Sequence, residues 1–312
     1  MKIFKLITLF LIVANSCMSQ NPFIRHMYTA DPSARVFNDT LYVFPSHDED
    51  TATMFSMQNW HVFSTTDMRK WKDHGIAFSL NDICWAKKEA WAPDCMKRNG
   101  KYYFYYPVEH SKIGVAISNK PYGPFKDPLD SALIHDDSDG VICNRDFIDP
   151  AVFIDDDGQA YLYMGQLVVN AIKLKENMIS YDGQVHLLKG TDDFFEAIWM
   201  HKYKGIYYLS YVGTSGEIKY CMSNNPLGPF KYKGVILPKM NSGTNHHSIV
   251  EFKGQWYIFY HNSDLYYKNN PKLEQKFGWG HEGSKHTYRR SICFDKLFYN
   301  EDGTIRMVIP TK

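Results

Sequence analysis

Apolar and polar positions along the chain fall into a rhythm that recurs five times. A short polar turn ends, and a run dense in aromatic and aliphatic residues begins. The instances are Asn38-Asp39 before Leu41 to Phe44, Asn99-Gly100 before Lys101 to Tyr106, Asp157-Gly158 before Gln159 to Met164, Lys204-Gly205 before Ile206 to Tyr211, and Lys253-Gly254 before Gln255 to His261. Asn-Gly and Asp-Gly between strand-like runs predict tight β-hairpins. Downstream segments repeat as well. Phe63 to Asp67 leads to Trp71, Ala116 to Asn119 leads to Gly123-Pro124-Phe125, and Cys221 to Asn224 leads to Gly228-Pro229-Phe230. Each reads as a third strand, a Ser/Asn/Asp turn and an edge strand ended by Gly-Pro, since proline tolerates sheet edges. A period of about fifty residues with several strands per unit predicts the blades of a β-propeller. Five units predict five blades in one all-β domain over residues 21–312, with almost no helix.

Composition narrows the partners. The 312 residues carry 35 basic and 34 acidic side chains, so no basic field exists to hold nucleic acid. The 22 Tyr, 20 Phe and 7 Trp suit strands, and aromatic faces also stack on sugars. The N-terminus reads as an export signal over residues 1–16: Lys2 and Lys5, an apolar run from Leu6 to Val13, then Ala14-Asn15-Ser16. Cys17 follows, at the position of a lipid-modified first residue, although lipoprotein signals usually carry Leu where Ala14 stands. The expectation is therefore a periplasmic or outer-membrane lipoprotein of a bacterium, or a secreted protein otherwise. No run reaches the roughly 20 apolar residues of a transmembrane helix. With Cys17 set aside, Cys84, Cys95, Cys143, Cys221 and Cys293 form an odd, scattered set, not a disulfide framework, and no Cys-x-x-Cys pair suggests zinc. Cys84 and Cys95 are near enough to bridge, or to form a buried reduced pair.

Three carboxylates stand at repeat-equivalent places. Asp31 and Asp149 each precede a proline ahead of the innermost strands of the first and third units, and Glu196 lies just ahead of the fourth. Innermost strands of a propeller converge on one axis, so residues far apart in sequence can meet there. An Asp before Pro also stabilises turns on its own. The apolar flanks of Glu196 (Phe194, Phe195, Ile198, Trp199) would raise its pKa toward that of a general acid.

In order, Ala30-Asp31-Pro32-Ser33, Trp91-Ala92-Pro93-Asp94, Ile148-Asp149-Pro150-Ala151, Phe195-Glu196-Ala197 and Asn245-His246-His247-Ser248 resemble glycoside hydrolase family 43 over almost the whole mature chain. The resemblance implies a five-bladed propeller that cleaves glycosides with inversion, most often arabinofuranosides and xylosides of plant polysaccharides. It implies Asp31 as general base, Glu196 as general acid and Asp149 as the carboxylate that tunes and orients the acid. Ala197-Ile198 stands where many members carry Ala-Pro or Gly-Pro. Glu89 and Glu109 do not match the acid's segment. His246 resembles the family's axial histidine, facing a channel cation, commonly calcium, through water; strand alternation sends His247 the other way. Arg290 matches the arginine that touches sugar and carboxylates, leaving Arg289 as a solvated charge. Trp91 resembles a pocket wall, with core packing the alternative. His47 and Asp48 are further candidates for the pocket lining. Asp155-Asp156-Asp157-Gly158 lacks calcium-loop spacing and reads as a hairpin turn. The function expected is exo-acting removal of arabinofuranosyl residues. The alternatives are β-xylosidase or exo-galactosidase activity on the same fold, or a non-catalytic carbohydrate-binding propeller.

Overall fold

The computed structural model describes residues 21–273 and 288–311; the expected leader and Cys17 lie outside them. Among the described residues nineteen strands form five antiparallel sheets. The first holds β1 (Tyr28–Phe37), β2 (Thr40–Asp48), β3 (Asn59–Thr65) and β4 (Lys72–Ser79). The second holds β5 (Asp94–Arg98), β6 (Lys101–Val108), β7 (Lys112–Ser118) and β8 (Ile134–His135). The third holds β9 (Ala151–Ile154), β10 (Ala160–Met164), β11 (Asn170–Leu174) and β12 (Tyr181–Leu187). The fourth holds β13 (Phe194–Tyr203), β14 (Ile206–Gly213), β15 (Ile218–Ser223) and β16 (Lys231–Leu237). The fifth holds β17 (His247–Phe252), β18 (Gln255–Asn262) and β19 (Ser291–Leu297), with a single turn of helix, α1 (Asp264–Asn269), after β18. These are the five blades the hairpin rhythm predicts. None of the described helices is long and apolar enough to cross a membrane.

The turns explain the hairpins. Asn38-Asp39, Asn99-Gly100, Lys204-Gly205 and Lys253-Gly254 each place both central residues at positive φ, the geometry of the tight turn whose twist matches paired strands. Asp155 to Gly158 forms the longer turn between β9 and β10, and Lys202 neutralises Asp155 and Asp156. The Gly-Pro pairs differ from expectation. Gly228-Pro229 leads into the edge strand β16 and does not end it. Gly123 and Gly228 take φ of +80° and +81°. That conformation turns Phe125 and Phe230 into the core before the edge pairing begins.

Each blade packs on both faces, which is why its strands read as continuous aromatic runs and not as simple alternation. In β6, Phe104 and Tyr106 face the first blade, whereas Tyr103 and Tyr105 face the third. Among the described residues five apolar clusters result, one at each seam between neighbouring blades. The ring closes through the N-terminal segment. Phe23 N–H donates to the Ile292 carbonyl at 3.3 Å, and the Asn21 side chain exchanges two hydrogen bonds with the Phe294 backbone, both 3.0 Å. Residues 21–23 thus cover the outer edge of β19 and leave less open edge for other chains. The five thiols within the described residues are free, and Cys84 is exposed while Cys95 is buried, so the two do not form a buried pair.

One ion pair ties the inner strands together. The Arg35 guanidinium of β1 forms a two-pronged bond with the Asp94 carboxylate of β5. It also donates to the Val152 carbonyl of β9 at 2.7 Å and lies 3.9 Å over the Trp199 ring of β13. Asp94 accepts from Ser33 Oγ at 2.5 Å and from the Val152 and Cys95 amides, both at 2.7 Å. Removing one partner of such a pair strands a buried charge, at a cost of about 3–5 kcal/mol. Arg35→Met and Asp94→Leu should each lower the urea midpoint sharply, and the double variant should lose clearly less than the sum. Additive losses in denaturation curves would show that the two side chains act independently.

Candidate active site

The three carboxylates share a backbone device. Asp31 takes a φ of +51°, Asp149 of +57°, and Ala197, directly after Glu196, of +61°. Positive φ is uncommon for residues with a Cβ, and such conformations collect at functional sites. The pairing of β1 slips between Ala30 and Ser33, and that of β13 slips on both sides of Glu196. Bulges of this kind re-aim side chains. Here they turn carboxylates that would follow the strand pleat into the mouth of the ring. Asp31 and Glu196 therefore sit within β1 and β13, not ahead of them as the sequence suggests; Asp149 does precede β9.

The resulting pocket, about 550 Å³ out to open solvent, is lined by Asp31, Asp149, Glu196, His246 and Arg290, with Trp91, Phe55 and Phe195 as aromatic walls. Asp31, Asp149 and Glu196 are only 5%, 5% and 8% exposed. Their surroundings differ. Asp31 accepts from Arg290 Nη1 at 2.8 Å and from Ser46 Oγ at 2.6 Å. Burial pushes its pKa up, but Arg290 first, then His246, His261 and Ser46, bring it down to about 2. Among the described residues no cation hydrogen-bonds Glu196, and Arg290 and Arg145 act on it only from a distance. Burial raises it to about 7; the hydrogen bond from Gln166 Nε2, 2.8 Å, opposes that rise and the charge of Asp31 adds to it. Asp149 is raised well above the usual carboxylate range by burial, then by Glu196 and Asp31, while the Ala197 amide donates to it at 2.8 Å. Asp149 is thus held to the backbone that carries Glu196.

Arg290 is the keystone cation. Asp48 takes its Nε and Nη2 in a fork at 2.9 and 2.8 Å, and also its backbone N–H at 2.8 Å. Nη1 is left for Asp31 and for Thr244 Oγ1 at 2.9 Å. Two candidates for the lining are therefore placed differently. Asp48 is fully buried behind Arg290. His47 follows the alternation of β2 to the opposite face, bonding Asn59 at 3.0 Å and packing on His61. Arg289 is buried too, with Nε on the Asp50 carbonyl and its guanidinium over Tyr266, so it is not a solvated charge. Trp91 both lines the pocket and packs on the first seam, its indole N–H on the Phe55 carbonyl at 2.8 Å. Glu89 pairs with His110 and Glu109 with Lys112, and neither lines the pocket.

His246 Nδ1 lies 3.8 Å from Asp31 and 3.9 Å from Asp149, and burial first of all lowers its pKa to about 4, leaving it neutral at pH 7. His247 faces the seam between the fourth and fifth blades, 2.6 Å from Ser210 Oγ. Calcium takes six to eight oxygens. Around His246 the chain offers Asp31, whose two oxygens already hold Arg290 and Ser46, and Asp149. Among the described residues no cluster of three or more ligands forms at His246.

Sequence reasoning passed over Ser46, Gln166, Thr244 and His261. His261 Nδ1 accepts the Asp31 backbone N–H at 3.1 Å while Nε2 meets the Thr244 carbonyl at 3.0 Å. Thr244 adjoins the Asn-His-His-Ser motif and Gln166 closely follows an aromatic strand, so neighbourhood was the available signal.

Comparison with known proteins agrees with this geometry. The family model described as Glycosyl hydrolases family 43 matches residues 19–305. The chain is 34% identical to a xylosidase/arabinosidase 43A of Humicola insolens, over 91% of this chain and 98% of that one. An α-L-arabinofuranosidase structure from Clostridium thermocellum is 41% identical with a TM-score of 0.77, covering 93% of this chain and 96% of that one. A β-xylosidase/α-arabinofuranosidase from a compost metagenome, solved with xylotriose in a calcium-free form, is 36% identical at the same TM-score, covering 91% and 96%. A five-bladed ring that gathers carboxylates from its first, third and fourth blades, matched from residue 19 to 305, identifies this chain as a member of glycosyl hydrolase family 43.

Proposed function

We propose that the chain is an inverting, exo-acting glycosidase that removes terminal arabinofuranosyl, or alternatively xylosyl, residues from plant-derived oligosaccharides. One observation carries the reading: a single pocket holds one buried carboxyl, Asp31, bonded by Arg290 and Ser46, which keep it ionised, and another, Glu196, bonded by a neutral amide, which burial raises to about 7. Inversion needs such a pair, a base that activates water on one face of the sugar and an acid that protonates the leaving oxygen on the other. Asp31, fixed by Arg290 and Ser46, takes a proton from water as the water oxygen bonds the anomeric carbon. Glu196 gives its proton to the departing glycosidic oxygen. Asp149 and Glu196 cannot both ionise side by side while buried, so the pair keeps one proton between them before reaction, and the Ala197 amide that donates to Asp149 fixes the acid's backbone. Trp91, Phe55 and Phe195 offer faces for the sugar. Buried carboxyls at the floor of a pocket walled by aromatic rings support action at a chain end.

Both pentoses are named because the relatives carry both activities in their names. Hydrolysis by this route needs no cofactor. A cation at His246 would be held mainly through water and would brace the pocket; no step passes through it. The leader expected over residues 1–16 makes export of the 21–312 domain part of the same proposal, which mass spectrometry of the mature N-terminus, with or without lipid on Cys17, would test.

Proton NMR of early product should show the inverted anomer; the retained one would replace this mechanism with a nucleophilic one. An acid matters most when the leaving group is poor. Glu196→Gln should lower kcat on natural linkages by about 10²–10⁴-fold yet spare much of the activity on an aryl glycoside with an acidic phenol. Asp31→Asn should depress both substrates severely. Equal losses for Glu196→Gln would count against its acid role. Activity should fall as pH rises through about 7, where Glu196 loses its proton. Asp149→Asn removes the second carboxyl of the pair that shares this proton, so the alkaline limb should move down; an unmoved limb in the kcat/KM profile would detach Asp149 from the acid.

A further inference from the structure

Gln166 lies outside every sequence motif of the pocket, yet the chain adopts two unfavourable conformations to place it. Gly165 takes a φ of +121°, and a Cβ there would come within 2.4 Å of the Val168 carbonyl oxygen, so only glycine fits. Leu167 takes a φ of +65°, uncommon for a residue with a side chain. Two backbone hydrogen bonds bracket the turn. Gly165 N–H donates to the Ile148 carbonyl, adjoining Asp149, and Leu167 N–H donates to the Phe195 carbonyl, adjoining Glu196, both at 2.8 Å. The turn thus spans the two segments that carry the coupled carboxyls.

The side chain is 4% exposed, lines the pocket, and donates from Nε2 to Glu196 Oε2 at 2.8 Å. Its Oε1 is buried with no hydrogen-bond partner. Glu196 is therefore the amide's sole protein partner among the described residues. A buried amide that merely held the turn together would be expected to satisfy its own carbonyl.

We propose that Gln166 is a positioning residue for proton delivery: its N–H keeps Oε2 of Glu196 an acceptor, so that the transferable proton resides on Oε1, and the same N–H stabilises the carboxylate left once that proton has gone. No covalent bond changes at Gln166. The proposal rests on Glu196 being the general acid. The titratable and charged groups facing Glu196 are Asp149 ahead of β9, Asp31 in β1, Arg290 ahead of β19, and Arg145 at the pocket rim, and a substitution at Gln166 removes none of them.

Gln166→Met keeps the length and removes the donor. Loss of a hydrogen bond to the ionised acid should move the alkaline limb of kcat/KM up by about one pH unit. kcat on an oligosaccharide should fall about tenfold, with little loss on an aryl glycoside bearing an acidic phenol, and thermal melting should confirm the fold. Gln166→Glu, which keeps the shape, should also raise the limb, now through like-charge repulsion, and serves where the Met variant does not fold. An unmoved limb in both variants, or equal losses on both leaving groups, overturns the assignment. Glu196→Gln run beside them separates the two failures. If it lacks the leaving-group signature, the acid assignment falls; if it shows that signature while Gln166→Met does not, only the role of Gln166 falls.

Discussion

The inner strands meet on the Arg35–Asp94 pair. Short inner strands such as the four residues of β9 send their side chains into the seams on either side, which leaves the axis itself to polar groups. Something polar must satisfy the backbone groups and charges left near the axis, because water is largely excluded there. A guanidinium can bond two neighbours in its plane and stack on a third, which a lysine ammonium cannot do. Arg35 uses that geometry to engage the second, third and fourth blades from the first, and Ser248 of the fifth bonds the adjacent Ala34 amide at 3.0 Å. The directions from which Asp31, Asp149 and Glu196 approach depend on this tie.

The same logic of placed charge separates carboxyls of similar chemistry. Asp31, Asp149 and Glu196 are almost equally buried, so burial alone would raise all three. What differs is the reach of one cation. Arg290 is anchored by Asp48 on the side away from the pocket and spends its remaining nitrogen on Asp31. Glu196 receives only a neutral amide. In the proposed mechanism a base and an acid thus arise from where one arginine points, and Asp48, hidden behind it, sets that direction.

Much of this was legible in the sequence. Asn-Gly and Lys-Gly turns before aromatic runs gave the hairpins, because the φ requirement of a tight turn is written in residue type. Asp31, Asp149 and Glu196 stood out because carboxylates before or within apolar strands need a reason. What failed to read through was direction. His47 and Asp48 are adjacent, and only the pleat decides that one turns out and the other lies under Arg290. Arg289 looks like a surface charge until Tyr266 and the Asp50 carbonyl are seen around it. Gln166, Ser46 and His261 carry no motif, since a second layer is chosen by shape after the first is fixed, and many polar residues could have served.

Asp31 lies 259 residues before Arg290, and their contact crosses the seam where the ring closes. During synthesis the first four blades can be complete while the last strand is still missing. In that state Asp31 and Asp48 are two carboxylates facing each other without their cation, a repulsive pair at the edge of an open ring. Docking of the final strand brings Arg290 between them and removes the repulsion in the same event that completes the pocket. The pocket is therefore complete only in the closed ring, with the last strand in place.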